Sequence, residues 1–237
     1  MVIKETDRVI SALVKRGNTE RAAHSMRFFK TAPGEYGEGD RFLGITVPEV
    51  RNQVKAFRGI TASDTEELLQ SEWHEVRLFS LLSMVDKFKR GSDLEQHSIY
   101  TVYMKNSRRV NNWDLVDSSA PHIAGAYLFG KNTEPLYNFA VSDSMWERRI
   151  SIVATQHFIR NGHFTSTFYI ADLLLKDRED LIHKAVGWML REVGNRDLEA
   201  ETEFLKHRYT KMPRTMLRYA IEKFEESRRQ SFLKGLI

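Results

Sequence analysis

Cysteine is absent from this sequence of 237 residues. Without it the chain has no disulfide, no thiolate metal site and no cysteine nucleophile, and the absence fits a reducing cytosol. Long apolar runs are missing as well. Charged residues interrupt the first 20 positions, and no stretch approaches the roughly 20 apolar residues that span a membrane. We therefore expect a soluble, cytoplasmic protein without a signal peptide or a membrane partner.

Proline is scarce, with five residues, and strand-like alternation of apolar and polar residues is rare. Apolar residues instead recur at helical spacing along nearly the whole chain. The predicted helices cover residues 6–14, 19–31, 47–57, 63–70, 72–90, 93–106, 113–120, 121–129, 133–141, 144–160, 165–175, 180–193, 197–209 and 213–229. The short linkers between them favour antiparallel helix pairs, and none divides the chain. The sequence therefore predicts one all-α domain over residues 1–237.

Local signals mark several helix ends. Thr46 and Glu49 have the spacing of a capping box, and Ser63 with Glu66 repeats that spacing. The Ala-Pro-Gly segment at 32–34 predicts the end of the second helix, because proline and glycine both interrupt helical backbone.

The net charge of +4 is concentrated in the C-terminal part of the chain. Residues 205–237 hold nine Lys or Arg against three Glu, a net of +6, so the other 204 residues sum to −2. A basic segment of this kind is compatible with contact to phosphate groups. A solvated helix surface gives the same count, so both interpretations stay open.

The four tryptophans of the chain form a repeat, with separations of 40, 33 and 42 residues. A charged residue follows each about one turn later, and the pairs are Trp73–Arg77, Trp113–Asp117, Trp146–Arg149 and Trp188–Arg191. Periods near 40 with two helices per unit are typical of HEAT-like solenoids, whose inner helices line a concave surface. The pairs are therefore predicted to line one groove. The alternative for each indole is a place in the hydrophobic core.

The pair Trp113 and Asp117 differs from the other three because its charged member is an acid. In a helix the two side chains share a face with Val116, since positions i, i+3 and i+4 lie on one side. A carboxylate one turn from an indole, in a chain that is basic overall, favours a functional face. The alternative is an ion pair between Asp117 and an arginine such as Arg149.

Four segments resemble the AlkD-type DNA alkylation repair family, and they are Phe42-Leu43-Gly44-Ile45, Trp113-Asp114-Leu115-Val116-Asp117, Trp146-Glu147-Arg148-Arg149 and Ala185-Val186-Gly187-Trp188-Met189-Leu190-Arg191-Glu192. The resemblance runs in order over about residues 20–224. It implies a superhelical solenoid of HEAT-like antiparallel helix pairs with a concave DNA-binding face. It also implies a DNA glycosylase of base excision repair that removes cationic alkylpurines, such as 3-methyladenine and 7-methylguanine, without flipping the nucleotide into a deep pocket.

The resemblance also assigns residues. Trp113, Asp117 and Trp188 match the catalytic positions of the family. Arg149 matches an arginine of the same cleft, placed to meet the DNA backbone. Phe28 falls where some members have a tyrosine, so an aromatic face is kept and a hydroxyl is lost.

The chemistry fits these residue types. A cationic alkylpurine leaves as a neutral base without a general acid, and positive charge develops on the deoxyribose. Asp117 is predicted to stabilise that charge and to orient the attacking water, while Trp113 and Trp188 offer cation–π faces. Lys184 lies one turn before Trp188, but no lysine stands out as a Schiff-base nucleophile. We therefore expect a monofunctional glycosylase that needs no cofactor and no metal.

We predict that the protein contacts alkylated double-stranded DNA through the aromatic side chain of Phe28 and through several cationic side chains. The candidate cations are Arg149, Lys184, Arg191, Arg214 and Arg218. The affinity for DNA should depend on salt, because most contacts are expected to be with the DNA backbone. The DNA-binding form is expected to be a monomer.

Other chemistries find less support in the sequence. Ser118 and His122 lie near Asp117, but the G-x-S-x-G turn of a hydrolase is missing, and the eight histidines form no zinc pattern. The acidic, glycine-rich loop 34–40 lacks the Lys-Ser/Thr of a phosphate-binding loop and is interpreted as a connector. His157 is interpreted as a packed core histidine. From another class of protein, the alternative is a non-catalytic HEAT-repeat scaffold that binds DNA or protein.

Overall fold

The structure is a computed structural model that describes residues 4–237. These residues fold into helices and connecting turns, and the one β-type pairing among them is an isolated bridge between Arg41 and Trp73. Two compact units divide the chain, one ending at Ser119 and the other running from Ala120 to Ile237. The predicted all-α class is confirmed, and the prediction of a single domain stays a prediction.

The first unit contains seven α-helices within the described residues. They are α1 (Glu5–Val14), α2 (Thr19–Phe28), α3 (Val47–Ala56), α4 (Ala62–Leu69), α5 (His74–Arg90), α6 (Asp93–Lys105) and α7 (Trp113–Ser119). The central helix is α5, which packs against α1, α3, α4, α6 and α7. Every residue of α5 from His74 to Val85 is buried, as expected for a helix that has neighbours on all sides.

The second unit begins with a π-helical turn, Pro121–Gly125, in which the Gly125 N–H donates to the Ala120 carbonyl at 2.9 Å. Its α-helices are α8 (Ala126–Leu128), α9 (Glu134–Ala140), α10 (Met145–Ala154), α11 (Gln156–Arg160), α12 (Thr165–Leu173), α13 (Asp180–Gly194), α14 (Leu198–Lys206), α15 (Arg214–Ala220) and α16 (Glu226–Lys234). The central helix is α13, which packs against α10, α11, α12, α14 and α15. Its buried residues, such as Ile182, Ala185 and Val186, form one stripe at helical spacing.

The helix-end predictions have mixed outcomes. The box at the start of α3 is confirmed, since Glu49 accepts a hydrogen bond from the Thr46 N–H at 2.9 Å. The box at Ser63 is wrong, because α4 begins at Ala62 and its box joins Thr61 to Asp64. Thr61 has extended backbone and is the N-cap, and its hydroxyl accepts a hydrogen bond from the Asp64 N–H at 3.0 Å.

The second helix ends three residues earlier than the predicted Thr31. Lys30 has a positive φ of 56°, which helical backbone does not tolerate. Its carbonyl accepts a hydrogen bond from the Gly37 N–H at 2.9 Å, so the loop 34–40 closes back on the helix end.

Two long predicted helices are divided in the structure. The helix predicted over 144–160 is interrupted at Thr155, whose hydroxyl donates to the Ile152 carbonyl at 2.7 Å and competes with the backbone ladder. The helix predicted over 213–229 ends at Ala220 and is followed by the 3₁₀ turn Ile221–Lys223. Glu225 then caps the new helix α16 by accepting from the Ser227 N–H. None of the helices within residues 4–237 combines the length and apolar character needed to cross a membrane.

Candidate active site

Helix α7 carries Trp113 and Asp117 in the first unit. Trp113 is its first residue, and the Asn112 side chain accepts a hydrogen bond from the Trp113 N–H at 2.9 Å. Asp117 follows one turn later, and both side chains are half-buried. The predicted placement of an indole and a carboxylate on successive turns of one helix is therefore present, with both groups reaching the surface.

Two phenylalanines support the indole of Trp113. The ring of Phe29 stacks on it with centroids 5.3 Å apart and an interplanar angle of 24°. Phe28, the last residue of α2, meets it edge-on at 6.0 Å and is 56% exposed. The structure thus brings together Phe28 and Trp113, which the sequence analysis assigned to the site, and adds Phe29 beneath them.

A chain of four charged side chains lies behind this aromatic surface. The guanidinium of Arg77 is paired with the Asp40 carboxylate, whose Oδ2 lies 2.8 Å from His74 Nδ1. On its other side the imidazole places Nε2 2.8 Å from Asp114 Oδ2. The order Arg77–Asp40–His74–Asp114 alternates in charge and ends on the residue next to Trp113. We call these four residues the buried ion chain.

Arg77, Asp40 and His74 are buried, whereas the Asp114 side chain is 18% exposed, and the surroundings of Asp40 and His74 favour their charged forms. Burial by itself raises the pKa of Asp40, but the hydrogen bonds and positive charges of His74 and Arg77 outweigh it and lower that pKa. Burial likewise lowers the pKa of His74, but Asp114 and Asp40 outweigh it and raise the pKa of His74 to about 9. At neutral pH His74 is therefore an imidazolium.

The buried ion chain was not predicted from the sequence. The loop 34–40, which supplies Asp40, was interpreted as a connector, and Asp114 was named only as part of the motif that holds Trp113 and Asp117. His74 lies 34 residues from Asp40 and 40 residues from Asp114, so only the fold brings the three together.

The Phe-Leu-Gly-Ile segment at 42–45 has a structural explanation. The buried carboxylate of Glu75 accepts hydrogen bonds from the backbone N–H groups of Leu43, Gly44 and Ile45 at 2.8, 2.7 and 3.1 Å. Gly44 has a φ of +77°, and a Cβ there would lie 2.1 Å from the Asn18 carbonyl oxygen. Only glycine allows this close approach to the start of α2, and the hydrogen bonds to Glu75 fix the loop onto the start of α5.

In the second unit α13 carries three of the predicted site residues. Lys184, Trp188 and Arg191 lie at i, i+4 and i+7 and share one face of the helix. Trp188 is half-buried, and its indole N–H donates to Glu192 Oε1 at 3.1 Å. Lys184 Nζ is 2.7 Å from Asp180 Oδ2, and Arg191 pairs with Glu222 in the 3₁₀ turn Ile221–Lys223 that follows α15.

The remaining predicted cations differ in exposure. Arg149 on α10 is 5% exposed and donates from Nη1 to the Leu181 carbonyl at 2.6 Å. Arg214 is exposed and donates to the Leu233 carbonyl at 2.9 Å. Arg218 is exposed, and its guanidinium has no hydrogen-bond or ion-pair partner among residues 4–237. Of these three side chains, Arg218 is the one best placed to meet an external phosphate.

The four tryptophans of the repeat occupy different helix positions. Trp73 is the N-cap of α5, and Trp113 is the first residue of α7. Trp146 is the second residue of α10, and Trp188 lies in the middle of α13. All four are half-buried, so none is a fully buried core anchor. His157, interpreted from sequence as a core histidine, is also half-buried and lies 5.4 Å from the ring of Phe129.

The chain matches a model of the DNA alkylation repair enzyme family over residues 9–224. It is also similar to a solved structure described as a predicted DNA alkylation repair enzyme from Enterococcus faecalis, with a TM-score of 0.68. The two chains share 16% sequence identity, and the similarity covers 89% of this chain and 98% of that chain. At this identity the likeness concerns the fold, and it supports the helical-repeat class. No curated protein matches the chain.

Proposed function

Because this chain belongs to the family of DNA alkylation repair enzymes, we propose that it is a DNA glycosylase. DNA alkylation repair is the role that the family indicates, and the glycosylase reaction is the finer step proposed here. The substrates are cationic alkylpurines in double-stranded DNA, of the 3-methyladenine and 7-methylguanine type. The enzyme hydrolyses the N-glycosidic bond without flipping the nucleotide into a deep pocket. It acts as a cytoplasmic monomer and needs no cofactor.

The observation that carries this proposal is the arrangement of α7. Asp117 presents a half-buried carboxylate one turn from the supported indole of Trp113. When a cationic purine departs, the electron pair of the broken N-glycosidic bond stays on the purine and neutralises it, and positive charge appears on the deoxyribose. A fixed anion stabilises that charge more in the transition state than in the ground state, which lowers the barrier.

Trp113 and Trp188 have the second role in the proposed reaction. Indole faces attract cations by roughly 0.5 to 2 kcal/mol when the cation lies within about 6 Å. Stacking on Phe29 limits the rotation of Trp113, so little ordering is needed when the lesion binds. The exposed edge of Phe28 extends the same apolar surface.

DNA binding is proposed to run through the exposed cations of the second unit. Arg218 can meet a phosphate directly, whereas Lys184, Arg191 and Arg214 have protein partners that a phosphate must replace or share. Arg149 is largely buried, so its proposed part in the site is to hold neighbouring groups as well as to approach the DNA backbone.

The test is release of methylated purines from alkylated duplex DNA under single-turnover conditions. Asp117→Asn is expected to lower the rate at least a hundredfold, about 2.7 kcal/mol in barrier, with DNA affinity within about threefold of the parent. Asp93→Asn is the matched control, since Asp93 is an exposed aspartate in the first turn of α6. A parent protein that binds alkylated DNA but releases no purine would favour the scaffold alternative instead.

A further inference from the structure

The buried ion chain has no part in the reaction proposed above, yet its last member, Asp114, lies on the proposed catalytic helix α7. We propose that His74 is a positioning residue: as an imidazolium it holds Asp114, and thereby the first turn of α7 that presents Trp113 and Asp117. This inference deepens the proposed function and rests on it for its catalytic consequence, although the positioning itself can be measured without DNA.

The hydrogen-bond geometry requires both ring nitrogens of His74 to be donors. Each nitrogen lies 2.8 Å from a carboxylate oxygen, one of Asp40 and one of Asp114. An ionised carboxylate only accepts, and a neutral imidazole has a single N–H, so one of the two contacts would be repulsive in the neutral ring. The imidazolium satisfies both, and the four charges of the ion chain then sum to zero.

Asp114 depends on this one contact. Its Oδ2 faces His74, and its Oδ1 is buried with no hydrogen-bond partner within residues 4–237. Because the Asp114 side chain is only 18% exposed, its carboxylate is destabilised in place when it loses this cation, and it moves toward solvent. Since Asp114 directly follows Trp113 in the first turn of α7, such a movement displaces the indole.

Ring packing gives His74 a second connection to the indole. Its ring lies 4.4 Å from that of Phe42 and 5.1 Å from that of Phe29, centroid to centroid. Phe29 is also the ring on which Trp113 stacks. An imidazolium against phenyl faces is an attractive cation–π arrangement, so the charge on His74 also tightens the packing beneath Trp113.

The charged groups around His74 come from four segments. They are Asp40 in the loop before α3, Arg77 on α5, Arg109 between α6 and α7, and Asp114 on α7. Arg77 pairs with Asp40, Arg109 interacts electrostatically with Arg77 and Asp40, and Asp114 is the one member of the set that lies on α7. Asp114 is therefore the group through which a change of charge on His74 is passed to α7.

The first experiment measures the environment of Trp113 without DNA. The near-ultraviolet circular dichroism of Trp113 is obtained as the difference between the parent and Trp113→Phe. We expect His74→Gln to lose more than half of this signal while the far-ultraviolet spectrum stays unchanged, because neutral glutamine can reach only one of the two carboxylates. His207→Gln is the matched control, since His207 also faces a carboxylate, Glu203, but on the exposed surface.

The second experiment follows the same signal with pH. In the parent it should fall as pH rises through about 9, where His74 loses its proton. Asp114→Asn removes one of the two anions, so its midpoint should move to lower pH, and His74→Gln should show no such step. A residue needed only for overall stability would shift the unfolding temperature without moving this midpoint.

The third experiment connects positioning to catalysis. Single-turnover release of methylated purines by His74→Gln should fall at least tenfold at neutral pH, with the dissociation constant for DNA within about twofold of the parent. If the parent releases no purine while the Trp113 signal behaves as described, the proposed function fails and the positioning role stands.

The inference is overturned if folded His74→Gln keeps both the Trp113 signal and its step near pH 9. Should His74→Gln fail to fold, Asp114→Asn decides alone, because it leaves the histidine and its ring packing in place. An unchanged midpoint in Asp114→Asn then contradicts the coupling between His74 and α7.

Discussion

At the residue scale, Glu201 shows how this fold treats a carboxyl group that it does not pair fully. The side chain lies on α14, is 1% exposed, and has one oxygen without a hydrogen-bond partner in the described part of the chain. Burial raises the pKa of Glu201 to about 9, although the positive charges of Arg228 and Arg191 oppose this rise. The carboxyl group is therefore protonated at neutral pH, next to the α-carbon of Gly194.

This raised pKa makes stability depend on pH. Below pH 4.5 the group is protonated in both states and has no effect on the pH dependence. Between pH 4.5 and about 9 the unfolded chain releases a proton that the folded chain keeps, so the free energy of unfolding falls as pH rises. The slope from one such group is at most about 1.4 kcal/mol per pH unit.

Glu201→Gln should remove this loss, because the amide does not ionise. We expect the variant to gain stability over the parent progressively from pH 5 to pH 9, by at most about 1.4 kcal/mol per pH unit, measured by urea unfolding at each pH. Glu199→Gln, an exposed glutamate on the same helix, is the control and should leave the pH dependence within about 0.5 kcal/mol of the parent. A constant difference between Glu201→Gln and the parent at all pH values would show that Glu201 is not protonated in the folded state.

At the scale of helices, the close contact between α13 and α15 depends on one glycine. A Cβ at Gly187 would lie 2.4 Å from the Met216 carbonyl oxygen and 2.5 Å from the Tyr219 Cβ. Such distances are too short for non-bonded atoms, so α15 must move away to admit a methyl group. The Ala-Val-Gly-Trp order at 185–188 therefore places a contact point for α15 immediately before the indole of Trp188.

Gly187→Ala should destabilise the protein by about 2 kcal/mol or more, even though alanine favours the helix itself. Chemical denaturation measures the loss. Gly59→Ala is the matched control, because a Cβ at Gly59 meets nothing within 4 Å and the position has an ordinary φ. Equal stability of the two variants would contradict the packing argument for Gly187.

Helices themselves were predictable from the sequence where local chemistry decides their ends. Thr46 and Glu49 fix the start of α3 through a hydrogen bond between neighbours in sequence. The interruption at Thr155 was not predicted, because apolar residues keep their spacing through it and only the hydroxyl contact with Ile152 reveals the turn. A periodic pattern of apolar residues does not reveal local side-chain-to-backbone hydrogen bonds of this kind.

The candidate site shows the same division. Trp113 and Asp117 could be identified because their relation is a spacing of one turn within a single helix. The link between Asp40 and His74 could not, since an aspartate in a polar loop and a histidine at a helix start are ordinary in isolation. Their role follows from burial and from the short distance between them, which the fold alone determines.

At the scale of the whole molecule, the uneven charge of the chain has a measurable consequence. Residues 205–237 carry a net charge of +6, while the chain as a whole carries +4. Each cation that neutralises a DNA phosphate releases condensed counterions, so the logarithm of the binding constant falls by about 0.9 per contact for each logarithmic unit of salt. The number of cations that touch phosphate can therefore be read from salt dependence, independently of any catalytic step.

Arg218 supplies the sharpest form of this prediction, because its guanidinium is exposed and has no partner among residues 4–237. Arg218→Gln should weaken binding to undamaged and alkylated duplexes alike and should reduce the salt slope by about 0.9. Lys206→Gln is the control, since Lys206 is also a cation of the second unit but is already paired with Glu203 at 2.9 Å. Fluorescence anisotropy over a series of salt concentrations measures both slopes. A slope for Arg218→Gln equal to that of the parent would exclude Arg218 from the DNA contacts, and the basic C-terminal segment would then be better explained as a solvated helix surface.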